Sequence, residues 1–480
     1  MSKVRTRFAP SPTGYMHIGN LRTALYAYLI AKKDDGDFIL RIEDTDQGRL
    51  VTGAVDIIYE TLKQCGLKHD EGPDVGGDYG SYVQSERMKS GIYSKYAHEL
   101  VQKGKAHYCF CKQEDVQAIT GDTENLGANI YVDPCKNLTK EEIQAKLDQN
   151  EPYVIRLTVD PNGTTSFDDE IYGTITVDNS TLDEMVLLKS DGFPTYNFAN
   201  VIDDHLMNIT DVVRGNEYLS STPKYNLLYD AFGWDKPRYI HCPPVMKDEH
   251  QKLSKRNGDA SFQDLVAKGY LPAAVLNYIA LLGWSPSEDK EIYSLEELAK
   301  AFDVKHIGKV GAIFDIEKLK WMNGVYLRNM ADEEYAELVK PYIEEVTSLD
   351  YKLIAKVIKD RVSILSEIKD MISFLNKVDE YEPSIYENKK AKTNSDVAKE
   401  SLISAKEALQ DLNDWNNDAI FTTLANKATE KGIKNIKLMY PMQVALSGRT
   451  VAPGGATAIA EILGKEETIN RINNALEKLG

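Results

Sequence analysis

The chain has 480 residues, of which 42% are hydrophobic and 27% are charged. This ordinary globular composition excludes a disordered polymer and a small disulfide scaffold. At about 150 residues per domain, the length predicts about three domains. The 57 basic and 74 acidic residues give a formal charge of −17. That balance excludes a uniformly basic nucleic-acid binder but leaves open a nucleic-acid partner, because binding depends on where the charges lie.

Five cysteines are present, and an odd number without a secretory leader favours free thiols in the reducing cytoplasm. The first residues, MSKVRTRFAPSPTG, lack the apolar core of a signal peptide. The longest apolar stretch, residues 271–284, contains Asn277 and is shorter than the ~20 residues that cross a membrane. The sequence therefore predicts a cytoplasmic protein with no membrane partner.

The first hundred residues alternate between strand and helix patterns. Residues 4–8 are typical of a strand, and a loop with Pro10, Pro12 and Gly14 follows. The next segments are a helix over 21–33, a strand over 37–42 and a helix over 52–65. Strands that alternate with helices in this way predict a parallel α/β sheet.

The pattern changes after about residue 100, where residues 109–152 form a mixed polar stretch. Strand patterns return over 153–159, 173–177, 185–189 and 209–214, which indicates a domain inserted into the first one. From about residue 272 the chain is mostly helical. The predicted helices span 295–302, 316–322, 333–346, 351–375, 395–412 and 416–431. The last 150 or so residues are therefore predicted to be all-α.

One candidate nucleotide site lies between the first predicted strand and helix. No GxxxxGK[ST] loop is present and no GxGxxG follows a strand, so ATP would have to bind elsewhere. The stretch PSPTGYMHIGN leads into a helix N-terminus, whose free N–H groups and positive dipole end favour an anion. His17 can donate to a phosphate, and Gly19 allows close approach. Taken alone, the pattern is more typical of a βα turn capped by a histidine.

A second candidate is the cationic run KLSKR, which contains Lys252, Lys255 and Arg256. Lysine and arginine stabilise the charge that develops on a phosphoryl group during its transfer. Alone, such a run is more typical of a solvated surface loop.

Together these two motifs, in this order, resemble the signatures of the class I aminoacyl-tRNA synthetases. Other segments of the sequence are similar to those of the bacterial-type glutamyl-tRNA synthetases. These segments are RFAPSPTG from Arg7, RIEDTD from Arg41, LKSDGFPTY ending at Tyr196, DDH from Asp203 and FDIEKLKWMNG from Phe314. A final GRTVAPG, over residues 448–454, extends the resemblance into the last part of the chain. HIGN in place of HIGH, and KLSKR in place of KMSKS, look like family variants.

The resemblance implies an α/β Rossmann-like catalytic domain with an inserted α/β acceptor-binding domain, followed by an all-α stem-contact and anticodon-binding region. The expected domains are the two halves of the catalytic core, the insertion with a candidate zinc site, the KLSKR loop with the stem-contact domain, and the helical anticodon domain. Their boundaries, in chain order, are 1–100 for the first half of the core, 101–190 for the insertion, 191–250 for the second half, 251–325 for the loop and stem-contact domain, and 326–480 for the anticodon domain.

The implied reaction has two steps. L-Glutamate and ATP, with Mg²⁺, give glutamyl-adenylate and pyrophosphate. The glutamyl group then passes to the terminal adenosine of tRNA(Glu). A non-discriminating enzyme would also charge tRNA(Gln), and an amidotransferase partner would then follow. A monomer is the family expectation.

The resemblance implies site residues at the positions where these segments match those of the family. His17 and Lys255 are the expected catalytic residues, and with Gly19 and Lys252 they would bind ATP. The expected glutamate-binding residues are Arg7, Ser11, Glu43, Tyr196, Asn200 and Arg214. In this interpretation Arg214 selects the γ-carboxylate, because guanidinium binds carboxylate bidentately, and Glu43 binds the ammonium. The plainer alternatives are a core ion pair for Arg7 and Glu43, and simple packing for Tyr196.

The pattern Cys109, Cys111 and Cys135 predicts a zinc site, since thiolates are good zinc ligands and structural zinc takes four ligands. Relatives that bind zinc here supply a tyrosine four residues before the last cysteine or a histidine two after it. Tyr131 meets the first description, whereas Asn137 stands at the second place and is a poor ligand. Reduced, unliganded cysteines are the alternative.

Arg361 and Arg449 are candidates for contacting tRNA in the helical domain, although each is equally well explained as a solvated helix residue. A glutaminyl-tRNA synthetase is disfavoured by APSPTG and by the all-α C-terminus. A truncated relative that glutamylates a modified base is disfavoured by the length. A non-catalytic paralogue is disfavoured by the intact His17, Lys255 and Arg214, and a small-molecule adenylyltransferase by the long helical extension.

Overall fold

The computed structural model describes residues 3–112, 133–254 and 261–480, so the predicted site residues Tyr131 and Lys255 lie outside the described residues. The chain divides into two compact units. The α/β unit comprises Met1–Leu265 and Val275–Asp315, and the helical unit comprises Val266–Ala274 and Ile316–Gly480. Within the described residues, no helix has the length and apolar character needed to cross a membrane.

The strands of the described residues all belong to the α/β unit. They are β1 (Arg5–Phe8), β2 (Asp37–Leu40), β3 (Ala106–Cys109), β4 (Val154–Leu157), β5 (Thr164–Asp169), β6 (Gly173–Asp178), β7 (Val186–Leu188), β8 (Asp211–Gly215), β9 (Arg238–Cys242), β10 (Val245–Met246) and β11 (Ala312–Ile313). The main sheet has the order β2–β1–β8–β9–β5–β6, and only the β5–β6 pair is antiparallel. The predicted parallel α/β sheet is therefore confirmed.

The helices of the described part of the α/β unit cover the strands or follow them. They are α1 (Ile18–Lys33), α2 (Ala54–Gln64), α3 (Gln84–Lys89), α4 (Ile92–Gln102), α5 (Lys140–Asp148), α6 (Tyr196–Leu206), α7 (Thr222–Phe232), α8 (Phe262–Ala267) and α10 (Leu295–Ala301), with α9 (Pro272–Leu281) between α8 and α10. Both α8 and α9 cross a boundary between the two units. Helix α1 is buried on most sides, as its run of leucines, alanines and tyrosines predicts.

Strands β3, β4 and β7 form a separate antiparallel sheet of three strands. The hairpin β5–β6 behaves differently, because it extends the main sheet through the pairing of Asp169 with Tyr239. Residues 164–178 thus lie within the predicted insertion and yet belong to the main sheet. Sequence patterning cannot show this, since a strand's residues do not specify which sheet edge it joins.

Helices make up the second unit from α11 onward. They are α11 (Ile316–Asn329), α12 (Asp332–Glu344), α13 (Tyr351–Ile358), α14 (Glu367–Ile372), α15 (Ser395–Gln410), α16 (Asn417–Glu430), α17 (Asn435–Ser447) and α18 (Gly455–Leu479). Asn394 and Asn416 begin α15 and α16 by accepting the backbone N–H of Val397 and Ala419. Leu402, Leu424 and Ile459 belong to the core that these helices share. The predicted all-α region is confirmed.

The single helix predicted over 351–375 is wrong, because the chain leaves the helix after Ile358 and resumes it at Glu367. Tertiary hydrogen bonds take the backbone groups that a continuous helix would use. The Ser363 carbonyl accepts from Asn323 Nδ2 at 2.6 Å, and the Leu365 N–H donates to the Gly269 carbonyl at 3.2 Å. The hydrophobic periodicity of the sequence cannot reveal such competition for backbone groups.

Candidate functional site

A cavity of about 460 Å³ opens where the parallel strands β1, β2 and β8 end. Ligands in open α/β sheets bind at this carboxyl edge, because side chains from several strands converge there. Five of the six residues predicted to bind glutamate line the cavity: Arg7, Ser11, Glu43, Tyr196 and Arg214. The structure thus brings together residues that lie more than two hundred positions apart in the chain.

Arg7 and Glu43, which line the cavity, belong to a buried network with Arg41 and Asp204. Arg7 donates through Nε and Nη2 to the two carboxylate oxygens of Asp204, at 3.0 and 3.2 Å, and through Nη1 to the Val213 carbonyl. Arg41 contacts the same carboxylate at 2.8 Å and the Glu43 carboxylate at 2.9 Å. Asp204 therefore neutralises charge on both arginines, which hold its pKa below the usual value although burial alone would raise it.

One carboxylate oxygen of Glu43 accepts hydrogen bonds, and the other has no partner among the described residues. Its Oε1 accepts from both Nε and Nη2 of Arg41, whereas its buried Oε2 has no hydrogen-bond partner among the described residues. Burial raises the pKa of Glu43 to about 7, against the opposing effect of Arg41 and Arg7. A buried acceptor left open costs free energy unless a ligand satisfies it. An ammonium group would do so, and it would also favour the ionised carboxylate.

Arg214 is a buried cation without an anionic partner among the residues that the structure describes. Its Nε donates to His241 Nε2 at 3.0 Å and its Nη2 to Thr222 Oγ1 at 2.8 Å. The guanidinium carbon lies 4.8 Å from the ring centre of Tyr225 and 5.3 Å from that of Tyr218. Both hydrogen-bond partners are neutral groups that leave the guanidinium charge uncompensated, so the site is suited to a carboxylate ligand.

Tyr196 and Asn200 lie one turn apart at the start of α6. Tyr196 faces the cavity and its ring lies 5.6 Å from that of Tyr218. Asn200 is buried behind it and donates from Nδ2 to the Tyr196 carbonyl at 2.9 Å. Asn200 is thus the one predicted glutamate residue that does not line the cavity, and its place indicates support of the Tyr196 backbone.

The two signature motifs meet at His17. Its Nδ1 accepts from the Gly19 N–H at 3.0 Å and caps α1, while Nε2 lies 3.1 Å from the carbonyl of Leu253, in the KLSKR run. A Cβ at position 19 would stand 3.1 Å from the His17 ring, so glycine is favoured there. Lys252 is exposed beside β10, and its neighbour Lys255 lies beyond the described part of the chain.

The three predicted zinc thiols lie together. The sulfurs of Cys109, Cys111 and Cys135 and a carboxylate oxygen of Asp133 are all within 4.8 Å of one another. Asp133, which sequence reasoning missed, is fully buried and contacts His107 Nε2 at 3.1 Å. Three thiols and a carboxylate are a donor set that zinc accepts.

The two arginines predicted to contact tRNA differ in their surroundings. Arg361 is exposed in the turn after α13. The Arg449 guanidinium instead donates to the Met371 and Asp370 carbonyls at 3.0 and 2.9 Å, and so satisfies the C-terminal end of α14. A role in tRNA binding stays a prediction for both.

Comparison with known proteins gives consistent matches along the chain. A family model described as tRNA synthetases class I (E and Q), catalytic domain, matches residues 3–321, and one described as anticodon binding domain matches residues 334–476. Glutamate–tRNA ligases from Clostridium tetani and Clostridium kluyveri are each 57% identical over 100% of this chain and over 98% and 99% of their own lengths.

Two solved structures are similar over their whole length. The crystal structure of a glutamate tRNA ligase from Elizabethkingia meningosepticum, in complex with its amino acid, has a TM-score of 0.90 at 36% identity and covers 100% of both chains. The glutamate-tRNA synthetase from Elizabethkingia anophelis has a TM-score of 0.89 at 38% identity, covering 99% of this chain and 100% of its own.

Proposed function

The chain belongs to the class I tRNA synthetases of the glutamate and glutamine group, and we propose that it is a glutamate–tRNA ligase. The observation that carries this proposal is the pairing, in one cavity, of an uncompensated guanidinium at Arg214 with an open carboxylate oxygen at Glu43. An amino acid with a side-chain carboxylate presents the complementary charges.

Charge balance favours glutamate over glutamine. Arg7 and Arg41 are paired with the carboxylates of Asp204 and Glu43, whereas Arg214 contacts no carboxylate among the described residues. The side chain of glutamate carries a negative charge that pairs with the Arg214 guanidinium, whereas the side chain of glutamine carries none. A buried charge left without its partner is expensive, so the amide is rejected.

We assign the polar ends of the substrate accordingly. Arg214 binds the γ-carboxylate, and Glu43 Oε2 binds the ammonium together with Ser11 and Tyr196. Arg7 lines the cavity and uses three of its five N–H groups on Asp204 and Val213, so two remain for the α-carboxylate. Asn200 supports the turn that carries Tyr196.

ATP is assigned to the start of α1 and the KLSKR run. Gly19 allows close approach at a helix N-terminus, His17 links the two segments, and Lys252 and Lys255 supply positive charge for the phosphates. A glutamate α-carboxylate oxygen then bonds to the α-phosphorus as the bond to pyrophosphate breaks, with Mg²⁺ neutralising phosphate charge. In the second step the terminal 2′-hydroxyl oxygen attacks the carbonyl carbon and AMP leaves. Positioning and charge stabilisation carry both steps.

Aminoacylation with radiolabelled glutamate tests the function, with purified tRNA(Glu) and tRNA(Gln) as acceptors and labelled glutamine as the control. We expect glutamate on tRNA(Glu) and no transfer of glutamine. Charging of tRNA(Gln) as well would make the enzyme non-discriminating and would require an amidotransferase partner to convert the product. Failure to glutamylate either tRNA would contradict the proposal.

The expected setting is a monomer in the cytoplasm. All five cysteines are unpaired thiols in the structure, in keeping with a reducing compartment.

We further propose that Cys109, Cys111 and Cys135 bind a structural Zn²⁺, with Asp133 as the fourth ligand in place of the predicted Tyr131. The proximity of the three sulfurs and the Asp133 oxygen supports this donor set. His107 and Arg156 both contact the Asp133 carboxylate and would orient it, as outer groups do around ligating carboxylates. When bound, the ion would crosslink the end of β3 to the segment that begins at Asp133.

Metal analysis of protein purified without chelator is expected to give about one zinc per chain. Cys135→Ser should reduce the zinc content several-fold, whereas Cys65→Ser, at a buried thiol outside the cluster, should leave it unchanged. Loss of zinc in Asp133→Ala but not in Tyr131→Phe identifies the fourth ligand. Wild-type protein with well below one zinc per chain would contradict the site.

A further inference from the structure

Behind Arg214 lies a fully buried chain of hydrogen bonds that no substrate can reach. The Asp169 carboxylate lies 2.7 Å from His241 Nδ1, and His241 Nε2 lies 3.0 Å from Arg214 Nε. Asp169 and His241 have no exposed side-chain surface. Arg214 and His241 are direct neighbours across β8 and β9, so their side chains lie on the same face of the sheet.

The protonation state of His241 follows from its two partners. Arginine N–H groups only donate, so Nε2 must be an acceptor and carry no proton. The proton is therefore on Nδ1, where it is donated to Asp169, and the imidazole is neutral. Burial lowers the pKa of His241 and Arg214 lowers it further, against the effect of Asp169, which is consistent with that neutral state.

The carboxylate at the end of this chain is itself held in place. Asp169 ends β5, and its Oδ1 accepts the backbone N–H groups of Ile171 and Tyr172 at 3.0 and 2.9 Å. Its Oδ2 accepts the His241 N–H at 3.0 Å in addition to Nδ1. These contacts fix the carboxylate, and the carboxylate in turn fixes the tautomer of His241.

The neutral imidazole has a consequence for selectivity. A carboxylate in direct contact with Arg214 would orient the guanidinium equally well, but it would also neutralise the charge that attracts the ligand. His241 instead orients Arg214 through a neutral acceptor, and the Asp169 carboxylate lies on the far side of its ring. Thr222 Oγ1 is a second neutral acceptor and takes an N–H of Arg214 Nη2, while its own proton is shared between the Tyr218 carbonyl at 2.8 Å and His241 Nε2 at 3.1 Å.

We propose that Asp169 and His241 are positioning residues for amino-acid selection, which fix the Arg214 guanidinium through a neutral acceptor and so reserve its charge for the γ-carboxylate of the substrate. The proposal rests on the proposed glutamate–tRNA ligase function. Neither residue touches the amino acid, and sequence patterning gave no reason to connect residue 169 with residue 214.

The test compares two substitutions at position 241. His241→Phe keeps a ring of similar size but removes the acceptor. His241→Gln retains an acceptor oxygen near the place of Nε2. We expect the Phe variant to raise the KM for glutamate about 10- to 100-fold, the range for losing a hydrogen bond to a charged group, with the KM for ATP changed less than about threefold. The Gln variant should stay within about fivefold of wild type for glutamate.

Ile240→Val is the matched control, because it alters the adjacent buried residue of β9 without removing a polar group. It should leave the KM for glutamate unchanged. His241→Met, whose flexible side chain fills irregular gaps, replaces the Phe variant if that variant does not fold. A wild-type KM for glutamate in the variant that lacks the acceptor, or equal increases for glutamate and ATP in both variants, would overturn the proposal. Wild-type enzyme that transfers no glutamate would instead overturn the function on which the proposal rests.

Discussion

Replacing Arg214 with alanine is expected to lower kcat/KM for glutamate about 1,000-fold, the largest effect on activity that we predict for a single side chain. The change removes the only buried cation of the cavity that has no anionic partner among the described residues. Losing one partner of a buried charge pair costs about 2–5 kcal/mol, and each 1.4 kcal/mol is a factor of ten. The loss should appear mainly in the KM for glutamate, as measured by aminoacylation of tRNA(Glu).

Arg238→Ala supplies the matched control for this prediction. Arg238 lies on the neighbouring strand β9, its side chain is 44% exposed, and it is paired with Asp211. Its loss removes the same charge from the chain but not from the cavity, so kcat/KM should change less than about threefold. Arg214→Lys should recover only part of the activity, because an ammonium cannot bind a carboxylate bidentately. Wild-type glutamate kinetics in Arg214→Ala would mean that the γ-carboxylate binds elsewhere.

Local patterns in the sequence predict the first two strands and the first two helices of the α/β unit. The strand predicted over 4–8 is observed as Arg5–Phe8, and the helix predicted over 52–65 as Ala54–Gln64. These two predictions agree with the structure because the hydrophobic pattern of a strand or a helix repeats within a few residues. The break after Ile358 and the pairing of β5 with β9 in the main sheet were missed, because both depend on partners far away in the chain.

In the candidate site, too, only some of the residues could be predicted from the sequence. Arg7, Glu43 and Arg214 could be assigned from the family resemblance, and all three line the cavity. The roles of Asp204 and His241 could not be assigned, since each depends on a contact made across the fold. Arg7 reaches Asp204 over 197 positions, and His241 reaches Asp169 over 72. The motifs RIED and DDH indicate that an ion-pair network exists, because buried basic and acidic residues must pair. The motifs do not indicate which residues pair with each other.

Replacing Asp204 with alanine is expected to produce the largest loss of stability. The Asp204 carboxylate contacts Arg7 and Arg41, and all three side chains are at most 4% exposed. Without it, Arg7 loses its ion-pair partner, and Arg41 keeps Glu43 at 2.9 Å and Asp203 at 4.0 Å. Removing one partner from a buried ion pair costs about 3–5 kcal/mol. For a unit of this size we expect the thermal midpoint of the α/β unit to fall by about 5–8 °C in calorimetry.

Asp183→Ala is the control, since it also removes an aspartate that pairs with a cation in the same unit. The Asp183–Lys224 pair is 2.6 Å long, but the Asp183 side chain is 59% exposed, and such pairs contribute about 0–1 kcal/mol. Equal midpoints for the two variants would show that the network does not depend on Asp204. A lower midpoint only in Asp204→Ala would show that the arginines of the cavity need an internal counter-charge. The site can then leave Arg214 uncompensated because Arg7 and Arg41 are already balanced within the protein.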